Sequence, residues 1–196
     1  MATFRQTFAD LGAAVLPAEP ERPVEVWAFD ESRLGLQTIR RRRITARGTK
    51  PIGRCQHRFD NFYLYGAIAP HTGDGYFLGL PKLNAAQFQV FLDKFAKARP
   101  ATLNVLLLDN SRCHTPTDVV VPATVVLRFQ PPYAPELNPA ERVWQARKDA
   151  LAWACFRDLA HRQARVVEVV QAWDPDRLRS LTAYPFILDA LNALFP

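Results

Sequence analysis

Three acidic residues stand where the chain can hold them rigidly. Asp30 closes the apolar run VEVWAFD, Asp109 closes LNVLLLD, and Glu141 follows the proline-rich stretch of Gln130–Trp144, QPPYAPELNPAERVW. Three carboxylates with few histidine or cysteine ligands offer oxygen donors, which hard divalent cations such as Mg2+ and Mn2+ take. Brought close together without a cation, such groups repel one another and their pKa values rise. Glu141 has a second use. Asn138 reads as a helix N-cap, Pro139 as the first helical residue and Glu141 as the third, where a carboxylate reaches back to the cap N–H in a capping box.

The elements that position these residues follow from periodicity and punctuation. Val24–Asp30 and Leu103–Leu108 are near-continuous apolar runs, as expected of strands covered on both faces. Phe59–Ala69 and Tyr76–Leu80 are strands around the turn HTGDG, where Gly73 and Gly75 permit positive φ. With the first strand they form an antiparallel meander. Asn84 caps a helix through Arg99 with Phe88, Phe91, Leu92 and Phe95 on one face. Ala123–Phe129 is a further buried strand. Pro131, Pro132 and Pro135 make a stiff loop, and the helix after it runs from Ala140 to about Phe156. Asp158–Trp173 is a second helical pattern with Leu159, Val166, Val169, Val170 and Trp173 as its apolar set, and residues 176–195 form short helices split at Pro185. The expected class is α/β: a mixed five-stranded sheet, meander plus parallel strands, flanked by helices.

Residues 1–23 read as a short helix with Phe4, Phe8, Leu11 and Val15 at helical spacing, followed by the stiff linker PAEPERP. Residues 24–196 read as one domain. No apolar run approaches a membrane span, and the N-terminus has no secretory signal. Three well-separated cysteines, Cys55, Cys113 and Cys155, do not form a disulfide framework, so a reducing cytoplasm is expected. The pairs Cys55 with His57 and Cys113 with His114 lack the spacing of a structural zinc motif, and no glycine-rich phosphate loop is present. Net charge is +6, and arginine outnumbers lysine twenty to five. That balance is compatible with a nucleic-acid partner. The densest charge is Arg40, Arg41, Arg42 and Arg43, followed by Arg47 and Lys50. This run is either a solvated edge or a phosphate-contacting ribbon.

The segments FDES (Phe29–Ser32), LLLDNSRCH (Leu106–His114) and PPYAPELNPAERVW (Pro131–Trp144), in this order, resemble the catalytic domain of DDE transposases in the mariner-like superfamily, on the branch of bacterial insertion-sequence enzymes. The resemblance covers residues 24 to 190. It implies an RNase H-like fold with Asp30 and Asp109 at the C-terminal ends of neighbouring parallel strands. It implies two Mg2+ or Mn2+ ions, with Asp30 bridging both and Asp109 and Glu141 each holding one. It implies hydrolysis of phosphodiester bonds at transposon ends, strand transfer into target DNA, and a homodimer on nucleoid-associated bacterial DNA.

Asn110 and His114 also match motif positions, as auxiliary residues or as loop-bonding ones. Glu31 lies in the motif but points to the other strand face. Tyr133 and Asn138 shape the loop, and Trp144 belongs to the core. The motif family places tryptophan where Ile44 and Thr45 stand here. Two other readings stay open: an RNase H-like nuclease without strand transfer, and an inactive transposase-derived DNA-binding protein. Fewer than twenty-four residues precede the first strand. Recognition of a specific transposon end is therefore expected to need an upstream helix-turn-helix module, either encoded in a separate reading frame or lost by decay.

Overall fold

The computed structural model describes residues 22–111, 113–114, 119–130 and 138–192. The expected N-terminal helix, most of the linker, and Pro131–Leu137 with Tyr133 lie outside them. Five strands, β1 (Val24–Gly35), β2 (Asn61–Ile68), β3 (Gly75–Leu80), β4 (Leu103–Leu108) and β5 (Val125–Phe129), form one sheet in the order β3-β2-β1-β4-β5. The β1–β2 and β2–β3 pairs are antiparallel, and β1–β4 and β4–β5 are parallel. This is the mixed sheet expected from the pattern.

Side-chain alternation along β1 divides two cores. Trp27 and Phe29 pack with Tyr65, Leu106 and the Phe88, Phe91, Leu92 and Phe95 face of helix α1 (Ala85–Ala98). Asn84 caps that helix by accepting from Gln87 N–H at 3.0 Å. Ala28 and Leu34 face the opposite way. They pack with Val143 and Trp144 of α2 (Ala140–Ala150), Val166 and Val169 of α3 (Leu159–Gln171), and Leu178 of α4 (Pro175–Thr182). Ile187 of α5 (Pro185–Asn192) joins Val26, Val105 and Leu107. Helices therefore cover both faces of the sheet, which is why the first half of β1 and nearly all of β4 are apolar.

Two elements differ from expectation. β1 continues past Asp30 to Gly35, because Glu31–Gly35 pair antiparallel with Tyr65–Asn61. Helix α2 stops at Ala150 rather than near Phe156. Trp153 takes the left-handed conformation at φ 63°, and its N–H donates to Ile39 O at 2.9 Å. A tertiary contact to the segment after β1 thus competes with the last helical turns.

Candidate active site

Parallel pairing of β1 with β4 runs from Val24↔Leu103 to Ala28↔Leu107. Counting two residues onward on each strand sets Asp30 level with Asp109. Beyond Ala28, β1 pairs with β2 alone, so Asp30 and Asp109 stand at the C-terminal ends of the parallel pair. Open α/β sheets bind ligands at such strand ends.

Asp30 lies on the α2 face of β1. Its Oδ1 accepts from Glu31 N–H at 2.8 Å, and its Oδ2 accepts from Trp144 Nε1–H at 2.8 Å. Burial pushes its carboxyl up to about 7, and the charges of Glu31 and Glu141 push the same way against the two hydrogen bonds. Glu141 is exposed on the first turn of α2. The start of that helix is tied to β1 beside Asp30. Asn138 Nδ2–H donates to Phe29 O at 2.9 Å, while its Oδ1 accepts from Ala140 N–H at 3.0 Å. Asn138 caps the helix as its residue type suggested, and Pro139 already has helical dihedrals. Among the described residues the Glu141 carboxylate makes no hydrogen bond back to Asn138. The reciprocal half of a capping box is missing, and the side chain is left for other use.

Asp109 is exposed and held from below. His114 Nδ1 lies 3.0 Å from Asp109 Oδ1 and 3.2 Å from Asp109 O, while its Nε2 lies 2.8 Å from Glu31 Oε1. Burial pushes the imidazole pKa down, but the Glu31 bond and charge outweigh it, so the ring is held above its ordinary value. Both ring nitrogens face acceptors, the arrangement an imidazolium satisfies. The ring is 3% exposed and packs against Phe29 and Phe88. Asn110 Nδ2–H donates to Gln130 O at 2.9 Å, joining the ends of β4 and β5. Glu31 does point to the opposite face from Asp30, and there it becomes the partner of His114. The residue types alone did not reveal that pair.

Trp144 contributes more than core. Its 2% exposure fits the expected packing, yet its indole N–H is spent on Asp30. Its position one turn after Glu141 on α2 was the available signal. Gly66 makes room for it. Gly66 sits opposite Asp30 in the β1–β2 register, and a Cβ there would meet Trp144 Cη2 at 2.6 Å.

The donor set fits hard cations: three carboxylates, one of them buried among like charges that a cation would relieve. Among the described residues, the one group of His, Cys and acidic ligand atoms lying within 4.8 Å of one another is Glu31, Cys113 and His114. Its members already have partners: Glu31 is bonded to His114, and Cys113 Sγ lies 3.1 Å from Ser111 Oγ. Asp30, Asp109 and Glu141 do not form such a group among the described residues.

The basic run divides. Arg41 Nε lies 2.6 Å from Asp149 Oδ1 on α2, and the Arg43 guanidinium lies 4.6 Å from the Trp153 ring centroid. Arg40, Arg42, Arg47 and Lys50 are exposed in a segment without strand pairing. The run is therefore no regular ribbon.

Comparison with known proteins agrees with this architecture. Residues 25–173 match the model of the DDE superfamily endonuclease family. An uncharacterized protein, y4pE/y4sA of Sinorhizobium fredii (strain NBRC 101917 / NGR234), is 33% identical over 113 residues, 57% of this chain and 82% of that protein. Among solved structures, the Mos1 transposase paired-end complex with left transposon end superimposes with a TM-score of 0.68 at 16% identity, over 97% of this chain and 60% of the Mos1 chain. The Mos1 strand transfer complex does so with a TM-score of 0.69 at 16% identity, over 97% and 59%. The Mos1 mariner paired end complex with Mn gives 0.67 at 15% identity, over 97% and 60%. The chain spans about three fifths of the Mos1 chains it matches, and the likeness shows the RNase H-like fold. With the family model covering β1 through α3, the chain belongs to the DDE superfamily endonucleases.

Proposed function

We propose that the chain is the catalytic domain of a DNA transposase, cutting phosphodiester bonds at transposon ends and joining the freed end to target DNA, with two copies acting together on DNA. The observation that carries this reading is the level register of Asp30 and Asp109 on adjacent parallel strands, with the Glu141 charge felt at Asp30. Mos1 structures determined with Mn and with Mg support divalent metal as the cofactor. Asp30, Asp109 and Glu141 would together hold two such ions. When bound, such ions supply an activated water and stabilise charge on the phosphorus oxygens and the leaving alkoxide.

The chain's own residues prepare the carboxylates. Trp144 Nε1–H fixes the plane of the Asp30 carboxylate, and His114, anchored on Glu31, fixes Asp109. Asn138 links the Glu141 helix to β1. Preorganisation of this kind lowers the cost of assembling a charged site. Exposed Arg40, Arg42, Arg47 and Lys50 would contact phosphates without reading bases.

Nicking of supercoiled plasmid in Mg2+ or Mn2+ is the test. Asp30→Ala, Asp109→Ala and Glu141→Ala are each expected to abolish nicking while far-UV circular dichroism stays unchanged. A fully active Glu141→Ala would refute the assignment. Strand-transfer products from a pre-cut transposon end separate a transposase from a nuclease that only cuts. No metal-dependent nicking by the intact chain would favour the DNA-binding reading.

A further inference from the structure

Away from the carboxylates, a cavity of about 580 Å3 opens between the segment after β1 and helices α2 and α3. Its charged lining is wholly cationic: Arg33, Arg41, Arg58, Arg147, Lys148 and Arg162. Two of these are built into the protein interior. Arg147 is 1% exposed and Arg162 is 2% exposed. Arg147 Nη2–H donates to Ser32 Oγ at 2.8 Å, but its Nε and Nη1 have no partner among the described residues, and neither do Nε and Nη1 of Arg162 or Nη2 of Arg41. Asp149 neutralises Arg41, and Asp60 lies 3.2 Å from Arg58. Among the described residues, no carboxylate is within ion-pair distance of Arg33, Arg147, Lys148 or Arg162. The faces of Trp144 and Phe156 lie under the Arg147 and Arg162 guanidinium groups at 5.7 and 4.9 Å. They take up part of the charge and none of the hydrogen-bonding capacity.

Buried donors without acceptors are costly and call for an explanation. Burial, and then repulsion from Arg162, lowers the Arg147 pKa to about 10, which still leaves it charged at neutral pH. Two buried guanidinium groups, each with free N–H donors, line the same cavity, and a guanidinium fork matches the oxygens of a tetrahedral oxyanion.

We propose that this cavity is a phosphate-binding site, taking a phosphate group either free or within a nucleic-acid strand. The second source rests on the transposase reading. Ser32 and Asp30 share one face of β1, and from Asp30 to Gly35 the strand advances about 17 Å. That is roughly five nucleotides of rise. The cavity thus lies within a few nucleotides' length of Asp30, near enough for one bound strand to reach both.

Thermal unfolding in EDTA tests the site without metal or catalysis. Inorganic phosphate is expected to raise the Tm of the intact chain in a saturable way that chloride at equal ionic strength does not reproduce. Arg162→Gln removes an uncompensated buried charge, so it should raise the Tm without phosphate and abolish the phosphate response. Arg33→Gln, at an exposed position, keeps the fold and should weaken the apparent phosphate affinity several-fold. A phosphate response equal to that of chloride, or one unchanged in Arg33→Gln, overturns the proposal.

Fluorescence anisotropy with a labelled duplex then identifies the source. A loss of DNA affinity of about tenfold in Arg162→Gln, with phosphate competing for the intact chain, assigns the site to the DNA backbone. Unchanged DNA affinity with a lost phosphate response assigns it to a free phosphate ligand. Plasmid nicking reads the catalytic assignment separately.

Discussion

Asp30 gathers the conflicting demands on this molecule. It is a carboxylate taken out of water, supported by two N–H donors and pressed by two neighbouring acids. An unfolded aspartate releases its proton near pH 4, whereas Asp30 in the fold holds its proton to about 7. Between those values the folded state binds more protons than the unfolded one. Stability therefore falls as pH rises through that window. At about 1.4 kcal/mol per pH unit the loss amounts to a few kcal/mol. Urea denaturation in EDTA from pH 4.5 to 7.5 should show the decline. Asp30→Asn should remove most of it, and an identical slope in that variant would locate the effect elsewhere. At this scale the sequence singled out the acids and was silent about their supports. Asp30, Asp109 and Glu141 stand out because each ends an apolar run or opens a helix. The His114–Glu31 bond and the Trp144–Asp30 bond join residues 83 and 114 positions apart. No local spacing encodes such a pair.

The elements were legible where local patterning and tertiary demand agree. β4 was readable to the residue, because an apolar strand covered on both faces has no other pattern. The buried face of α1 was readable from its phenylalanines. The second half of β1 was missed because the polarity of ESRLG (Glu31–Gly35) reads as a loop until β2 supplies a partner. The end of α2 was missed because Trp153 gives up helix for a contact with Ile39. The β1–β2 pair also carries a functional constraint, since Gly66 stands where any side chain would collide with the Trp144 ring. Gly66→Ala is expected to displace the indole, to destabilise the fold by roughly 1–3 kcal/mol as an overpacked core does, and to lower nicking at least tenfold. Thermal melts and plasmid nicking measure the two effects. Normal nicking with the same loss of stability would limit Gly66 to packing.

For the molecule as a whole, the net charge of +6 is unevenly used. Arg41 and Arg43 are tied to α2 and Trp153, and Arg147 and Arg162 are interior. The run of four arginines, uniform in sequence, is thus divided by its surroundings into structural and exposed members. Arg40→Gln with Arg42→Gln is expected to weaken DNA binding about equally for unrelated sequences. It should also reduce the slope of log K against log salt by up to about 2, with the melting temperature unchanged. Anisotropy titrations across a salt series would show it, and a sequence-dependent loss would contradict a backbone role. No helix among the described residues is long and apolar enough to cross a membrane. The order of the sheet was legible as a meander followed by parallel strands. The basic cavity was not, because its walls come from β1, the segment after it, α2 and α3 together.

The hydrogen bond from Trp144 to Asp30 makes the protein a spectroscopic instrument for its own chemistry. The chain has four tryptophans. The Trp27 indole donates to Asn104 Oδ1 at 3.0 Å, and the Trp153 indole nitrogen is buried without a partner among the described residues. Only Trp144 has an indole proton resting on a carboxylate among the described contacts. Its 1H–15N resonance will move whenever Asp30 gains a proton or turns toward a cation, while the Trp27 signal stays as an internal reference. Occupancy of the centre can then be followed in solution on 15N-enriched protein, without substrate and without an attached dye.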